Sequence, residues 1–242
     1  TKEIILNILK LKEEKARLLG YDTPAAQILS DKMAKTPETV DAFLANIFQY
    51  AVARAKEEVK DMQAMMDADI RDGKIKVGTK IKPWDWFYYS EKVRKAKYAL
   101  DEELVKPYFQ MENVRQGVFN TASKLYGLQF EKIENAPKYH PDVEAFKVSD
   151  ADGSLIGVLL TDYFPRESKR GGAWMNNIRE QYVTLDGQMV RPIIVNVGNF
   201  NKPTEDTPSL LSIDNVETMF HEFGHALHGL LSQCHYATVS GT

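Results

Sequence analysis

The sequence predicts a mainly α-helical protein with a small antiparallel β-sheet, that is, an α+β fold. Through residue 126, apolar residues recur at three- and four-residue spacing, which is the period of an amphipathic helix. After residue 140 the period changes to the alternation that is typical of half-buried strands. The helical period returns near residue 214. We therefore divide the chain into a helical region (1–140), a sheet region (141–200) and a final helix region (201–242).

Composition and charge exclude several functional classes. The chain has 242 residues, of which 43% are hydrophobic and 27% are charged, as in soluble globular domains. No apolar run reaches the roughly 18 residues of a membrane span, so we expect no membrane partner. The net charge of -3, with both signs interspersed, predicts no nucleic-acid partner. The single cysteine favours a reducing compartment, and we expect a cytoplasmic protein.

Caps and breakers give the bounds of the predicted helices. Gly20 ends the first helix, and Thr36 followed by Pro37 predicts the start of a long second one. That helix continues to about Ile70, where an Asp-Gly pair stops it. Two further helices are expected at 85–100 and 112–126. Because the chain starts with a helical pattern instead of an initiator Met, it resembles an internal fragment of a larger protein.

Two hairpins are expected in the sheet region. Residues 144–149 and 155–164 alternate in polarity on either side of an Asp-Ala-Asp-Gly turn. Residues 181–185 and 189–197 are joined by Asp-Gly, a pair that tolerates the positive φ of a tight turn. The sequence therefore predicts a small, mostly antiparallel sheet.

The final helix is expected to begin near Asn215 and to continue to about Leu231. Asp214 and Glu217, three residues apart, can form a capping box at its start. At about 100° per residue, one narrow arc holds the apolar side chains of the helix, which are Val216, Met219, Phe220, Phe223, Leu227 and Leu230. Two histidines, at 221 and 225, lie on the other side, which argues against a role in the core.

His221 and His225 are spaced for a shared metal ion. Imidazoles at i and i+4 project side by side, and neutral imidazole is a good zinc ligand. Glu222 follows the first histidine and is rotated by about 100°, where it can reach a metal-bound water as general base. The alternative is a helix with two surface histidines. His228 is expected to contact solvent or one of the metal-binding side chains, and His140 and His235 are taken as structural.

Long stretches of the chain resemble one known family. They are residues 33–38 (MAKTPE), 83–86 (PWDW), 104–109 (LVKPYF), 139–143 (YHPDV), 168–175 (SKRGGAWM), 220–229 (FHEFGHALHG) and 236–242 (YATVSGT). Together they span nearly the whole chain. On these residues the chain resembles the M3 family of zinc oligopeptidases, most closely its peptidyl-dipeptidase branch.

The resemblance implies a zincin-like fold and a peptidase site. It implies that His221 and His225 bind zinc and that Glu222 is the catalytic base. It also implies that Val197, Gly198 and Asn199 belong to the strand that pairs with the substrate backbone. We expect residues 191–199 to form a sheet edge beside the metal helix, where a peptide can add as a further strand.

The implied activity is the release of dipeptides from the C-termini of short peptides. In the family, the third zinc ligand is a glutamate, and it and the oxyanion-stabilising groups correspond to positions beyond Thr242. The remainder of the same polypeptide is therefore needed to complete the site, and the chain alone is expected to be inactive. Two other functions stay open, which are a thimet-type endo-oligopeptidase and a non-catalytic peptide-binding module.

Overall fold

The chain forms two compact units, each with its own core. The computed structural model describes residues 1–99 and 102–242. The units comprise residues 1–100 and 101–242. In the part of the chain that the structure describes, no helix has both the length and the apolar character to cross a membrane.

The first unit is helical, as the sequence predicts. Its helices are α1 (Lys2–Leu18), α2 (Pro24–Leu29), α3 (Pro37–Arg71) and α4 (Trp86–Tyr98), with a 3-10 turn at Pro83–Asp85. The hydroxyl of Thr36 accepts from the N–H of Thr39 and caps α3. Helix α2 was not foreseen, although Thr23 caps it in the same way before a proline. The helix predicted at 85–100 corresponds to α4, and its predicted end at Leu100 lies outside the described residues.

The core of the first unit lies between α3 and α4. Met62, Met66 and Tyr89 are buried there. The carboxylate of Asp69 accepts a hydrogen bond from the Tyr89 hydroxyl (3.1 Å) and pairs with Lys92. The hydrogen bond from Lys92 lowers the pKa of the Asp69 carboxyl. The two helices are thus joined by apolar contact and by one buried ion pair.

The second unit combines three helices with a mixed sheet. The helices are α5 (Glu102–Val105), α6 (Met111–Tyr126) and α7 (Ile213–Leu230), with 3-10 turns at Lys106–Tyr108 and Ala237–Val239. The strands are β1 (Gln129–Lys132), β2 (Glu144–Ser149), β3 (Leu155–Asp162), β4 (Trp174–Arg179), β5 (Tyr182–Val183), β6 (Met189–Val190) and β7 (Ile193–Val197). The α+β class is confirmed, but β3 and β7 pair in parallel, so the sheet is not purely antiparallel.

The main sheet has the strand order β1-β2-β3-β7-β4. The β2–β3 hairpin is the one that the sequence predicts. The second predicted hairpin is shorter than expected, because its outgoing strand divides at Pro192, which has no N–H for a strand ladder. Before this break, β6 pairs with β5 in a separate two-stranded sheet. After the break, β7 enters the main sheet.

The edge of the sheet is β4, which the sequence analysis did not identify. The prediction that residues 191–199 form the edge is wrong, because β7 lies between β3 and β4. Strand β4 reads Trp-Met-Asn-Asn-Ile-Arg, and its paired asparagines interrupt the alternation that would have marked it as a strand. Its pairing with β7 is antiparallel.

Helix α7 begins two residues earlier than predicted. The hydroxyl of Ser212 accepts from the N–H of Asn215 (3.2 Å), and the Asn215 side chain accepts from the N–H of Ser212 (3.4 Å). This reciprocal pair replaces the predicted box of Asp214 and Glu217, since Ser212 already has the extended backbone of a cap. The helix ends at Leu230, close to the predicted Leu231.

The predicted apolar stripe of α7 faces the core with one exception. Met219, Phe223 and Leu230 are buried, whereas Phe220 is 41% exposed. The core that they enter also contains residues of α6 and of the inner sheet face, which are Met111, Val114, Val118, Phe119, Ala122, Phe146, Val148, Leu159 and Ile194. A smaller cluster, which includes Val195 and Val197, covers the opposite face of the sheet.

A glycine on β3 permits close packing beneath the end of α7. A Cβ on Gly157 would lie 2.8 Å from the backbone oxygen of Pro192 and 2.9 Å from Cδ2 of Leu230. The Pro192 oxygen cannot withdraw, because it accepts the N–H of Val158 (3.0 Å). The β3–β7 junction therefore has no room for a side chain at this position.

We expect Gly157→Ala to lower the free energy of unfolding by about 1–3 kcal/mol, since overpacking displaces neighbouring atoms. Gly117→Ala is the matched control. Gly117 lies inside α6, where an added Cβ would meet no neighbouring atom. Alanine there is therefore expected to stabilise the fold by about 0.5–1 kcal/mol. Urea unfolding of both variants measures the difference. Equal stability of the two variants would contradict the packing described.

Candidate functional site

The two histidines of α7 lie side by side on its solvent face. The ring centroids of His221 and His225 are 4.9 Å apart, and the ring planes differ by 81°. Both residues are exposed, and Glu222 is half-buried. Met219 and Phe223, which flank this turn of the helix, point into the core. The helix thus presents two neighbouring imidazoles to solvent, and His221 and Glu222 line one depression.

This arrangement fits part of a zinc site. Neutral imidazoles one turn apart can each direct a ring nitrogen at one ion, and a catalytic zinc takes three protein ligands. Among residues 1–99 and 102–242, no group of three or more His, Cys, Asp or Glu side chains is arranged to hold a metal ion. The described residues therefore offer two candidate ligands, His221 and His225, one fewer than such a site needs, and we call this pair the half site.

A shallow depression of ≈ 340 Å³ adjoins this half site. Its lining comes from the first half of α7, and consists of Asp214, Glu217, Thr218, His221 and Glu222. Three of the five side chains are carboxylates. The solvent face of α7 is thus acidic and polar ahead of the histidines.

Asn196 of β7 connects the sheet to the turn that carries Glu222. Its side-chain nitrogen donates to the backbone oxygen of Glu222 at 2.8 Å. Asn196 is only 1% exposed, and the polar atom it contacts belongs to the candidate base itself. The sequence analysis did not single out this residue. Its signal was a polar side chain inside the apolar run Ile-Ile-Val-Asn-Val.

Val197, Gly198 and Asn199 lie at the end of β7, behind the edge strand. Val197 is paired with strands on both sides and is 6% exposed. Gly198 donates its N–H to the backbone oxygen of Asp162 at 2.8 Å, and its own oxygen accepts from Lys169 at 2.5 Å. The backbone groups of Val197 and Gly198 are thus engaged within the protein.

Asn199 holds the loop that leads to the edge strand. Its side-chain nitrogen donates to the backbone oxygens of Arg170 (2.8 Å) and Gly172 (2.7 Å). Strand β4 begins two residues after Gly172, at Trp174. The direct contacts of Asn199 are therefore with the chain that positions β4.

The outer edge of β4 is open and lies beside α7. Within the described residues β4 has one strand partner, β7, so no strand pairs with its other edge. Met175 of β4 is opposite Asn196, which contacts the turn of Glu222. Further along, Met175 and Asn177 lie close to Gly229 of α7. The first half of β4 is thus linked to the turn of Glu222 through Asn196.

Asp162 is the centre of a buried ion network at the same end of the sheet. It is 1% exposed, and Arg166 donates to its two oxygens at 2.7 and 2.8 Å. The Tyr139 hydroxyl (2.8 Å) and Lys169 (3.1 Å) donate to the same carboxylate. Burial alone would raise the pKa of Asp162, but the hydrogen bonds from Arg166, Tyr139 and Lys169 lower it to about 2.

Lys169 links this network to three backbone segments. Its amine donates to three backbone oxygens, those of Asp162 (2.9 Å), Phe164 (2.8 Å) and Gly198 (2.5 Å), and its side chain is only 4% exposed. Burial lowers the pKa of Lys169, although Asp162 opposes this. Asp162, Arg166 and Lys169 lie close together in the sequence, but nothing there indicated that Asp162 would be buried or that Tyr139, 23 residues earlier, would reach it.

The side chains of the three other histidines contact neither each other nor the pair on α7 in any hydrogen bond or ring contact of the described residues. The ring nitrogen Nδ1 of His140 accepts from the N–H of Asp142 at 3.2 Å. His235 packs edge-on against Tyr236, with centroids 4.9 Å apart. His228 is exposed on the last turns of α7, where its backbone oxygen accepts from Ser232. Their predicted roles stay predictions.

Comparison with known proteins gives a consistent result over the whole chain. The family model "Peptidase family M3" matches residues 1–242. Dipeptidyl carboxypeptidase of Escherichia coli (strain K12) is 43% identical over 100% of this chain and 34% of its own length. Oligopeptidase A of the same organism is 34% identical over 99% of the chain and 34% of its length. Saccharolysin of Saccharomyces cerevisiae is 32% identical over 95% and 33%. The chain spans about a third of the length of these curated relatives.

The Asp162 network predicts acid-sensitive stability. Because the pKa in the folded protein, about 2, is below the ordinary value of 3.8, the stabilisation is complete above pH 4 and disappears as the pH falls towards 2. Asp162→Asn leaves Lys169 buried without its counter-charge, and we expect a loss of about 3–5 kcal/mol at neutral pH. Because the variant lacks the Asp162 carboxylate, its free energy of unfolding is expected to fall less than that of the wild type as the pH is lowered towards 2.

The measurement is urea unfolding of wild type and Asp162→Asn between pH 2 and pH 7. Asp206→Asn, a change of the same type at an exposed position, serves as the control and is expected to follow the wild type. A variant at Asp162 with unchanged stability at neutral pH would show that the network does not hold the fold.

Proposed function

This chain belongs to peptidase family M3, and we propose that the whole protein is a zinc metallopeptidase that acts on short peptides. The observation that carries the proposal is the pair His221 and His225, which face solvent on either side of Glu222. The open edge strand β4 lies beside the same helix. We propose further that the enzyme releases dipeptides from the C-terminus of its substrates.

In this proposal, His221 and His225 are two of three protein ligands to zinc. The third comes from the remainder of the polypeptide, because a catalytic zinc needs one more protein ligand than these described residues provide. When bound, zinc supplies Lewis-acid activation of a water and of the scissile carbonyl.

Glu222 moves the protons. Its carboxylate lies at the next position of the helix, turned by about 100° from His221, so it would not be a ligand together with His221. One carboxylate oxygen takes a proton from the attacking water. The resulting carboxylic acid donates that proton to the leaving amine, which completes hydrolysis without a net change in Glu222.

The peptide is proposed to add to the outer edge of β4. Main-chain hydrogen bonds to an edge strand accept many sequences, which suits an enzyme for varied short peptides. Val197, Gly198 and Asn199 lie one strand further in, so we propose that they support β4 and its preceding loop. This replaces the expectation that they bond the substrate backbone directly.

The exo-acting form is favoured over the endo-acting one by the comparisons. Identity to dipeptidyl carboxypeptidase is 43%, against 34% to oligopeptidase A, over nearly the same residues. The endo-oligopeptidase stays the second candidate, because both relatives match nearly the entire chain.

We also propose a cytoplasmic location, because the single cysteine cannot form an internal disulfide.

We expect Glu222→Gln in the full-length protein to lower kcat by about 10²–10⁴, because proton transfer by a positioned side chain contributes this much. Zinc content is expected to stay at the wild-type value, since Glu222 is not a ligand. Cleavage of an internally quenched peptide and metal analysis measure the two quantities. Glu205→Gln, in the exposed loop before α7, is the control. Full activity of Glu222→Gln would refute the assignment of the base.

Peptides with a free or an amidated C-terminus separate the two peptidase classes. An enzyme that binds the terminal carboxylate loses a charge-assisted hydrogen bond on amidation, which is worth about 1.5–3 kcal/mol. We therefore expect kcat/KM to fall by about tenfold or more, with dipeptides as the released products. Unchanged kcat/KM together with cleavage at internal bonds would assign the protein to the endo-acting class.

A further inference from the structure

Asn196 is buried at a position where the fold alone would favour an apolar side chain. It lies in the central strand β7, and its neighbours Ile194, Val195 and Val197 are all buried hydrophobic residues. Its side-chain oxygen is buried and has no hydrogen-bond partner within the described part of the chain. Burying such an oxygen costs about 1–3 kcal/mol. A cost of this kind points to a role other than stability.

The one hydrogen bond of the Asn196 side chain goes to the turn that carries the proposed chemistry. Its Nδ2 atom donates to the backbone oxygen of Glu222 at 2.8 Å. In an α-helix that oxygen also accepts the N–H of the fourth residue onward, here Ala226, and a carbonyl oxygen has two lone pairs to do so. The bond from Asn196 is therefore an addition to the helix and not a repair of it.

Apolar packing by itself leaves α7 some freedom to move. Met219, Phe223 and Ala226 hold the helix on the sheet, but hydrophobic contact is non-directional and tolerates small rotations and slides. A hydrogen bond of defined length between a central strand and one helix turn removes that freedom where it is made. A displacement of about 1 Å at a reacting group can cost about 10² in rate.

We propose that Asn196 is a positioning residue, which fixes the rotation of α7 at Glu222 through the backbone of that residue. The inference rests on the proposed function, and it adds a determinant that lies in the sheet and does not touch the substrate. Its consequence is that the requirements of stability and of activity oppose each other at this position. An apolar residue there removes the unpaired oxygen but also releases the turn of Glu222.

The test is Asn196→Leu in the full-length, zinc-loaded enzyme. We expect kcat to fall by about tenfold or more, while KM stays within about twofold and the thermal midpoint is unchanged or higher. A purely structural asparagine would give a lower midpoint with kcat retained. Ser209→Ala is the matched control, since it also removes a buried oxygen without a partner but has no bond to α7. Its kcat is expected to equal that of wild type.

Two readouts report on the helix without relying on catalysis. In the metal-free protein, amide hydrogen exchange at Ala226, which bonds to the oxygen of Glu222, is expected to be faster in Asn196→Leu. In the cobalt-substituted enzyme, the visible spectrum is expected to shift, because His221 precedes the released turn. Asn196→Asp has nearly the same shape but lacks the Nδ2 donor, and it is expected to show both changes if the leucine variant does not fold.

The outcomes distinguish this inference from the proposed function. A wild type without zinc-dependent peptidase activity, or a fully active Glu222→Gln, overturns the proposed function. An active wild type, with kcat of Asn196→Leu within twofold and exchange at Ala226 unchanged, overturns the positioning role alone. Loss of kcat with faster exchange and an unchanged or higher thermal midpoint supports it.

Discussion

The packing of α7 on the inner face of the sheet is the constraint on which the candidate site depends. Burial of Met219, Phe223 and Leu230 commits one side of the helix to the core, and the helical period then turns His221 and His225 outwards. Any rotation that moved the histidines inwards would expose these apolar side chains to water. The face that carries the two histidines is thus a consequence of the hydrophobic face, and both follow from one stretch of sequence.

Polar groups buried in the sheet refine what apolar packing leaves loose. Asn196 joins β7 to the turn of Glu222, and Lys169 joins the end of β7 to the loop before β4. Each has a desolvation cost that an apolar residue would avoid. In return, hydrogen bonds have a direction and a length, which hydrophobic contacts do not. The helix with the proposed catalytic groups and the strand proposed to bind the peptide are both fixed to the same central strand.

The parts of the site that the sequence predicted are those with local causes. A pair of histidines at i and i+4 and a neighbouring glutamate lie within five residues, so helical geometry alone brings them together. The bounds of α3 and α6 and the β2–β3 hairpin depend on caps, glycines and turns of a few residues, and they were also predicted. The cap of α7 was wrong by two residues, because Ser212 competes with Asp214 for the same function.

The sequence by itself determined the class of fold, the helix with the proposed catalytic groups and the family that the chain resembles. Only the tertiary structure decided that β7 is central and β4 is the edge, since strand order depends on pairings between segments that are distant in the chain. It also brought Tyr139 into one network with Asp162 and Lys169. It placed Asn196 against Glu222, which is 26 residues further along the chain. Local periodicity records which side of an element is buried, but it carries no information about which other element covers that side.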